Sequence, residues 1–141
     1  MKKIAIAVAL LSASSIASAS SIVSTNPMLL AAGVASLQYQ QSLDETSGWT
    51  FDYLSIGAGG SGISFTGGSY KASFDGNTFG KGLYWRAGAA MVETTGIFGG
   101  TTSGFLPTLT VGYDFAINDS FLLGLDFGMG GAAGLSAGYK F

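Results

Sequence analysis

The residues from Phe105 to Phe115 read Phe-Leu-Pro-Thr-Leu-Thr-Val-Gly-Tyr-Asp-Phe. Apolar side chains fall on Phe105, Leu109, Val111, Tyr113 and Phe115, with Pro107 in the same row. Leu106, Thr108, Thr110, Gly112 and Asp114 lie between them. A repeat of two residues is the mark of a β-strand with one oily face. The next segment repeats it. After the polar turn 116–120, Phe121, Leu123, Leu125, Phe127 and Met129 alternate with Leu122, Gly124, Asp126 and Gly128. Beyond Gly130-Gly131, the row Ala133, Leu135, Ala137, Tyr139 and Phe141 opposes Gly134, Ser136, Gly138 and Lys140.

Upstream, the same period runs through 34–43 and 83–91, and less regularly through 49–58 and 63–74. In the last of these the apolar parity flips near Gly67-Gly68, between Ile63 and Phe65 on one side and Tyr70, Ala72 and Phe74 on the other. One extra residue there, a β-bulge hosted by glycine, would restore a single face. A second flip, near Tyr53-Leu54, has no glycine to host it. These segments make seven strands. The connections 44–48, 75–80 and 116–120 share polar, Asp-containing chemistry, and the strand count follows if they all lie on one side. An even strand number with both ends on that side then requires another strand. Residues 21–30 are long enough for it, with Pro27 marking a bulge or an edge-like stretch.

The fold class expected is therefore all-β: a closed, antiparallel, up-and-down transmembrane barrel of about eight strands with short turns. It occupies residues 20–141. Residues 1–19 read as a cleaved secretory signal, with Met1-Lys2-Lys3, the apolar run Ile4 to Leu11, and a small-x-small site at Ala17-Ser18-Ala19.

Composition narrows the chemistry. There is no Cys and no His, which removes disulfides, thiol catalysis, the commonest general base and the commonest metal ligand. Beyond residue 19 stand four cations (Lys71, Lys81, Arg86, Lys140) against eight anions (Asp44, Glu45, Asp52, Asp75, Glu93, Asp114, Asp119, Asp126). No basic patch exists for nucleic acid. No cofactor is implied. Charged residues make up 10% of the chain, too few for an ordinary water-facing surface.

Alternation alone does not say which face meets lipid, since a lipocalin-like soluble barrel alternates too. Three features turn the oily face outward. The other face is Gly, Ser, Thr and Gln, suited to a narrow lumen. The aromatics Tyr39, Trp49, Phe51, Phe74, Trp85, Tyr113, Phe115, Phe121, Tyr139 and Phe141 collect at one rim, as an interfacial girdle does. Finally, Asp52, Asp114 and Asp126 share the polar face with Lys71, Arg86 and Lys140, three against three. That composition reads as a neutralising ion network inside the lumen.

The ending Leu135-Ser136-Ala137-Gly138-Tyr139-Lys140-Phe141 resembles the carboxy-terminal signal of bacterial outer-membrane barrels. The resemblance implies recognition by the barrel-assembly machinery through Leu135, Ala137, Tyr139 and Phe141. The start, Asn26-Pro27-Met28-Leu29-Leu30 with Gly33 and Leu37-Gln38-Tyr39-Gln40, is similar to a family of short outer-membrane barrels. Gln40 stands where that family has Glu. The general architecture resembles the OmpA-type and OmpW-type eight-stranded barrels. What the resemblance implies is a fold, an outer-membrane location and lipid as the surrounding partner. It implies no activity, and a monomer satisfies it.

Four functions remain open on the residues. The first is a structural or accessory envelope barrel without chemistry. The second is a narrow pore or small-ligand barrel, since Gly88, Gly112, Gly124, Gly128, Gly134 and Gly138 thin the lumen face. An enzyme would need a positioned base beside a nucleophile, and no such pair is legible. A secreted soluble β-protein would carry the same alternation. The longest outer connection, Thr94 to Gly104, carries Ile97-Phe98, read as interfacial packing.

Overall fold

The computed structural model describes residues 20–58, 61–74, 76–129 and 134–141. The expected signal segment 1–19, Asp75, the expected turn at Gly130-Gly131 and Ala133 lie outside them. Eight strands close into one antiparallel barrel in sequence order: β1 (Ser21–Thr25), β2 (Ala35–Ser42), β3 (Ser47–Ala58), β4 (Ser61–Ser73), β5 (Gly82–Thr95), β6 (Thr101–Ala116), β7 (Phe121–Met129) and β8 (Gly134–Lys140). Closure is made between the first and last strands, with Ile22 opposite Lys140 and Thr25 opposite Ala137. Phe141 and Ser21 exchange backbone hydrogen bonds at 2.9 and 3.0 Å, so the end of the chain completes the seam. Among the described residues every strand has a neighbour on both sides, while residues 101–108 of β6 run on beyond the paired part of β7.

The expected first strand over 21–30 is half the expected length. β1 stops at Thr25, and Pro27–Ala31 forms a short helix, α1. The reason is local. Asn26 Oδ1 accepts hydrogen bonds from the backbone N–H groups of Met28 and Leu29, and Pro27 occupies the first helical position, where its missing N–H costs nothing. Gly33, at φ +78°, ends the helix, with Val34 N–H donating to Leu29 O and Gly33 N–H to Leu30 O. Asn-Pro and Gly are helix punctuation here, not the mark of a bulge.

The expected bulge at Gly67-Gly68 is absent. The β3–β4 ladder runs unbroken from Ser47↔Ala72 to Ala58↔Ser61, and β4–β5 from Gly62↔Thr95 to Ser73↔Tyr84. The two parity flips lie opposite each other, since Asp52 pairs with Gly67, Tyr53 with Thr66 and Leu54 with Phe65. The hairpin keeps its register, and its apolar residues change sides of the sheet at one level. Near the termini, Trp49, Phe51 and Tyr70 face out. Farther up, Leu54 and Phe65 stand on the inner face, while Ser55, Ser64 and Thr66 stand on the outer one.

Elsewhere the oily row is outside throughout. Leu109 is 56% exposed and Val111 45%, whereas Thr110 between them is 4% exposed. Trp49, Phe74, Tyr113, Phe115, Phe121, Tyr139 and Phe141 are exposed toward the end that carries the termini. Trp49, Tyr70 and Trp85 form one chain of ring contacts, and Phe121, Tyr139 and Phe141 another. Tyr39, expected in this girdle, is instead buried, its hydroxyl hydrogen-bonded with Ser21 Oγ.

Candidate functional site: the barrel interior

The terminal end of the lumen is plugged by the connection between β4 and β5. Phe79 turns inward, is held by a 2.6 Å bond from its N–H to Glu45 O, and packs into a buried cluster with Ile22 and Leu122. Gly48 makes room for it: a Cβ there would lie 2.6 Å from the Phe79 ring.

Above this plug sits a continuous polar network. Lys71, 1% exposed, donates to Asp114 at 2.5 Å and to Gln40 at 2.8 Å. Its ammonium lies 3.8 Å from the centre of the Tyr84 ring, a cation–π contact. Tyr84 donates its hydroxyl proton to Asp126. Arg86 reaches both oxygens of Asp52 at 3.1 and 3.2 Å and comes within 4.0 Å of Asp126. Gln38 ties the two halves, donating to Asp52 at 2.6 Å and accepting from Gln40 at 2.5 Å. Thr50 and Ser69 bond to each other at 2.6 Å beside the Arg86 guanidinium. Among the described residues the Arg86 Nε has no hydrogen-bond partner.

Five of the six charges expected in the lumen therefore come together: Asp52, Lys71, Arg86, Asp114 and Asp126. Lys140 does not join them. It sits one residue from the end of the chain and, among the described residues, makes no ion pair. The cluster is then two cations against three carboxylates rather than three against three. Taking such charges from water is expensive unless each is paired, and the mutual pairing is what the lumen provides. Leu135, Ala137, Tyr139 and Phe141 line one face of β8 and its end, with Tyr139 and Phe141 exposed on the barrel wall.

Residue patterns alone do not pick out Tyr84, Gln38, Gln40, Thr50 and Phe79 as members of this interior. The signal for the first four is parity: Tyr84 is two residues from Arg86, and Gln38, Gln40 and Thr50 share the polar rows. Phe79 has no such signal, because it lies in a connection. One lumen glycine also has a stated purpose. A Cβ on Gly112 would lie 2.5 Å from Leu125 O and against Tyr84, so glycine admits the tyrosine ring.

Beyond the network, toward the far end, lies a cavity of about 170 Å³. Asp52, Arg86 and Asp126 form its floor, and Leu54, Phe65 and Ala90 border it. The Asp52 side chain is 39% exposed, unlike the other members of the cluster that pair in ion bridges. Outside the lumen, Asp44 organises the β2–β3 turn. Its carboxylate accepts from Ser47 Oγ and from the Thr46 and Ser47 N–H groups, and these bonds hold its pKa down at about 2. Ile97 and Phe98 stand fully exposed at the tip of the β5–β6 hairpin. Among the described residues no group of acidic side chains forms a metal-ligand set.

No protein-family model matches the chain, and no curated protein matches it. Similar solved structures include the following two. Ail, the attachment invasion locus protein of Yersinia pestis, solved in complex with the heparin analogue sucrose octasulfate, is 16% identical, with a TM-score of 0.47 over 87% of this chain and 98% of that one. The N-terminal β-barrel domain of Pseudomonas aeruginosa OprF is 20% identical, with a TM-score of 0.59 over 87% of this chain and 97% of that domain. With its sheet closed over eight antiparallel strands, the chain shares the β-barrel fold of that OprF domain.

Proposed function

We propose that the chain is an integral outer-membrane barrel with a structural or accessory envelope role, closed to through-passage and without catalytic chemistry. The observation that carries this reading is the radial sorting on β5–β7. Leu109, Val111 and Phe127 are exposed, while Thr110, Asp114, Asp126 and Arg86 are buried inside. In water this distribution is inside out. In a bilayer each face meets its own solvent, and a cation turned to lipid at mid-depth would cost about 2–4 kcal/mol. The fold shared with the OprF barrel domain supports the same reading.

The pore alternative is disfavoured by the Phe79 plug and the bonded network above it. The expected partners are lipid and, during assembly, the machinery that recognises Phe141 and the alternating residues before it. The test is fractionation of cells expressing the full chain, with gel migration compared before and after boiling. The expected result is an outer-membrane protein whose mobility changes on heating and which gives no discrete steps in planar bilayers. Recovery in the aqueous periplasmic extract would overturn the membrane reading, and discrete steps would overturn the closed lumen. Deleting Phe141 is expected to lower the yield of heat-modifiable barrel.

A further inference from the structure

The geometry points to the cavity above the ion cluster as a binding site for a small amphiphile with a primary-ammonium head and a compact apolar body. This goes beyond an envelope role, since a closed barrel stands without a ligand.

The apolar side of the site comes from the reversed hairpin. Leu54 pairs with Phe65, and Phe65 pairs with Val92 on β5, so three strands present apolar side chains to the interior at one level. Below that level lies the polar network, and beneath it the Phe79, Ile22 and Leu122 plug. An oily wall beside a cavity, next to a few convergent polar groups, is the usual make-up of a small-molecule site. The polar side is supplied across the lumen by Ser24 and Ser36 and by the floor. At about 170 Å³ the space is smaller than the roughly 300–1,000 Å³ of sites for drug-sized ligands, so the body is a short chain or a single ring.

Charge decides the head. The cluster holds three carboxylates and two cations, one negative charge in excess. Asp52 carries its carboxylate at the cavity surface, where an ammonium gains a charge-assisted hydrogen bond. The spare donor at Arg86 Nε offers an anion one bond. That donor is flanked by Asp52 and Asp126, and an anion seated beside them meets like charge in a confined space.

The test uses the full chain folded in lipid nanodiscs and titrated with hexylammonium or with hexanoate, its charge-reversed match, read by amide chemical shifts. The expected result is saturable shifts at Asp52, Leu54, Phe65 and Ala90 with hexylammonium, and binding of hexanoate weaker by about tenfold or more. Asp52→Asn is expected to weaken hexylammonium by about tenfold. Ala90→Leu, which fills the cavity, is expected to abolish saturation. Absence of saturable shifts, equal or tighter binding of hexanoate, or shifts confined to lipid-facing residues such as Leu109 would overturn the site. The wild-type comparison decides this even where a variant fails to fold. A barrel that folds in nanodiscs and ignores both probes removes the site and leaves the membrane reading intact.

Discussion

The two halves of the β3–β4 hairpin obey opposite rules. In the half near the termini, Trp49, Phe51 and Tyr70 face out, and Thr50, Ser69 and Lys71 face in. In the far half, Leu54 and Phe65 face in, and Ser55, Ser64 and Thr66 face out. The register is the same in both. An unbroken ladder that exchanges its oily side marks a change of surroundings along the strand. On the membrane reading proposed above, the lower half borders hydrocarbon and a polar lumen, and the upper half borders the membrane edge outside and a partly apolar mouth inside. Barrel and solvent together, not the strand by itself, define which residues count as outward and apolar.

The largest effect expected tests the lower lumen. Asp114→Ala leaves Lys71 charged and almost wholly buried, and should cost about 3–5 kcal/mol of stability in urea unfolding from lipid vesicles. Replacing both partners, Lys71→Met with Asp114→Leu, should cost much less, because no orphaned charge remains. Arg86→Ala should likewise lower the unfolding midpoint more than it raises bilayer conductance. A variant of undiminished stability that conducts would break the view of this cluster as a structural core.

The hairpin itself supplies the next contrast. Phe51→Arg and Thr66→Arg both place a cation on the outer face of the same pair of strands, on opposite sides of the reversal. The first should cost about 2–4 kcal/mol and the second about 0–1 kcal/mol, by the depth dependence of cations facing lipid. Equal costs in vesicle unfolding would erase the distinction between the halves.

The smallest effect lies in the turn below both halves. The Asp44 carboxylate is bound more tightly in the folded state, its pKa lowered from 3.8 to about 2. Its contribution is therefore present above about pH 4 and lost as pH falls towards 2. Asp44→Ala should flatten the acid limb of the stability profile in that window and slightly lower the unfolding midpoint at neutral pH. An unchanged acid limb would remove Asp44 as the organiser of the turn.

Most of the barrel is legible along the chain because a closed sheet with unlike inner and outer faces imposes a strict period of two. β6, β7 and β8 follow from it almost residue for residue. β1 does not, because a strand of five residues gives too few repeats to count. Asn26, Pro27 and Gly33 were all visible, but their capping roles compete with a strand reading until the backbone angles are known. The paired flips at Tyr53-Leu54 and Gly67-Gly68 illustrate a different limit. Either flip alone suggests a local insertion, and only knowing that Leu54 faces Phe65 turns two irregularities into one boundary. Lys140 shows the same limit for charge: its parity matches the network, but its height in the barrel does not.

By itself the sequence determined the strand period, the alternation of oily and polar rows, and the placing of Asp52, Lys71, Arg86, Asp114, Asp126 and Lys140 on the polar one. These are properties of neighbours along the chain, set by alternation and by the cost of bare charge away from water. Tertiary structure alone decided which carboxylate meets which cation, that Phe79 stoppers the lumen, and where the hairpin exchanges its faces. Those depend on residues brought together from distant strands at a common depth, and depth is a property of the closed tube rather than of any single segment.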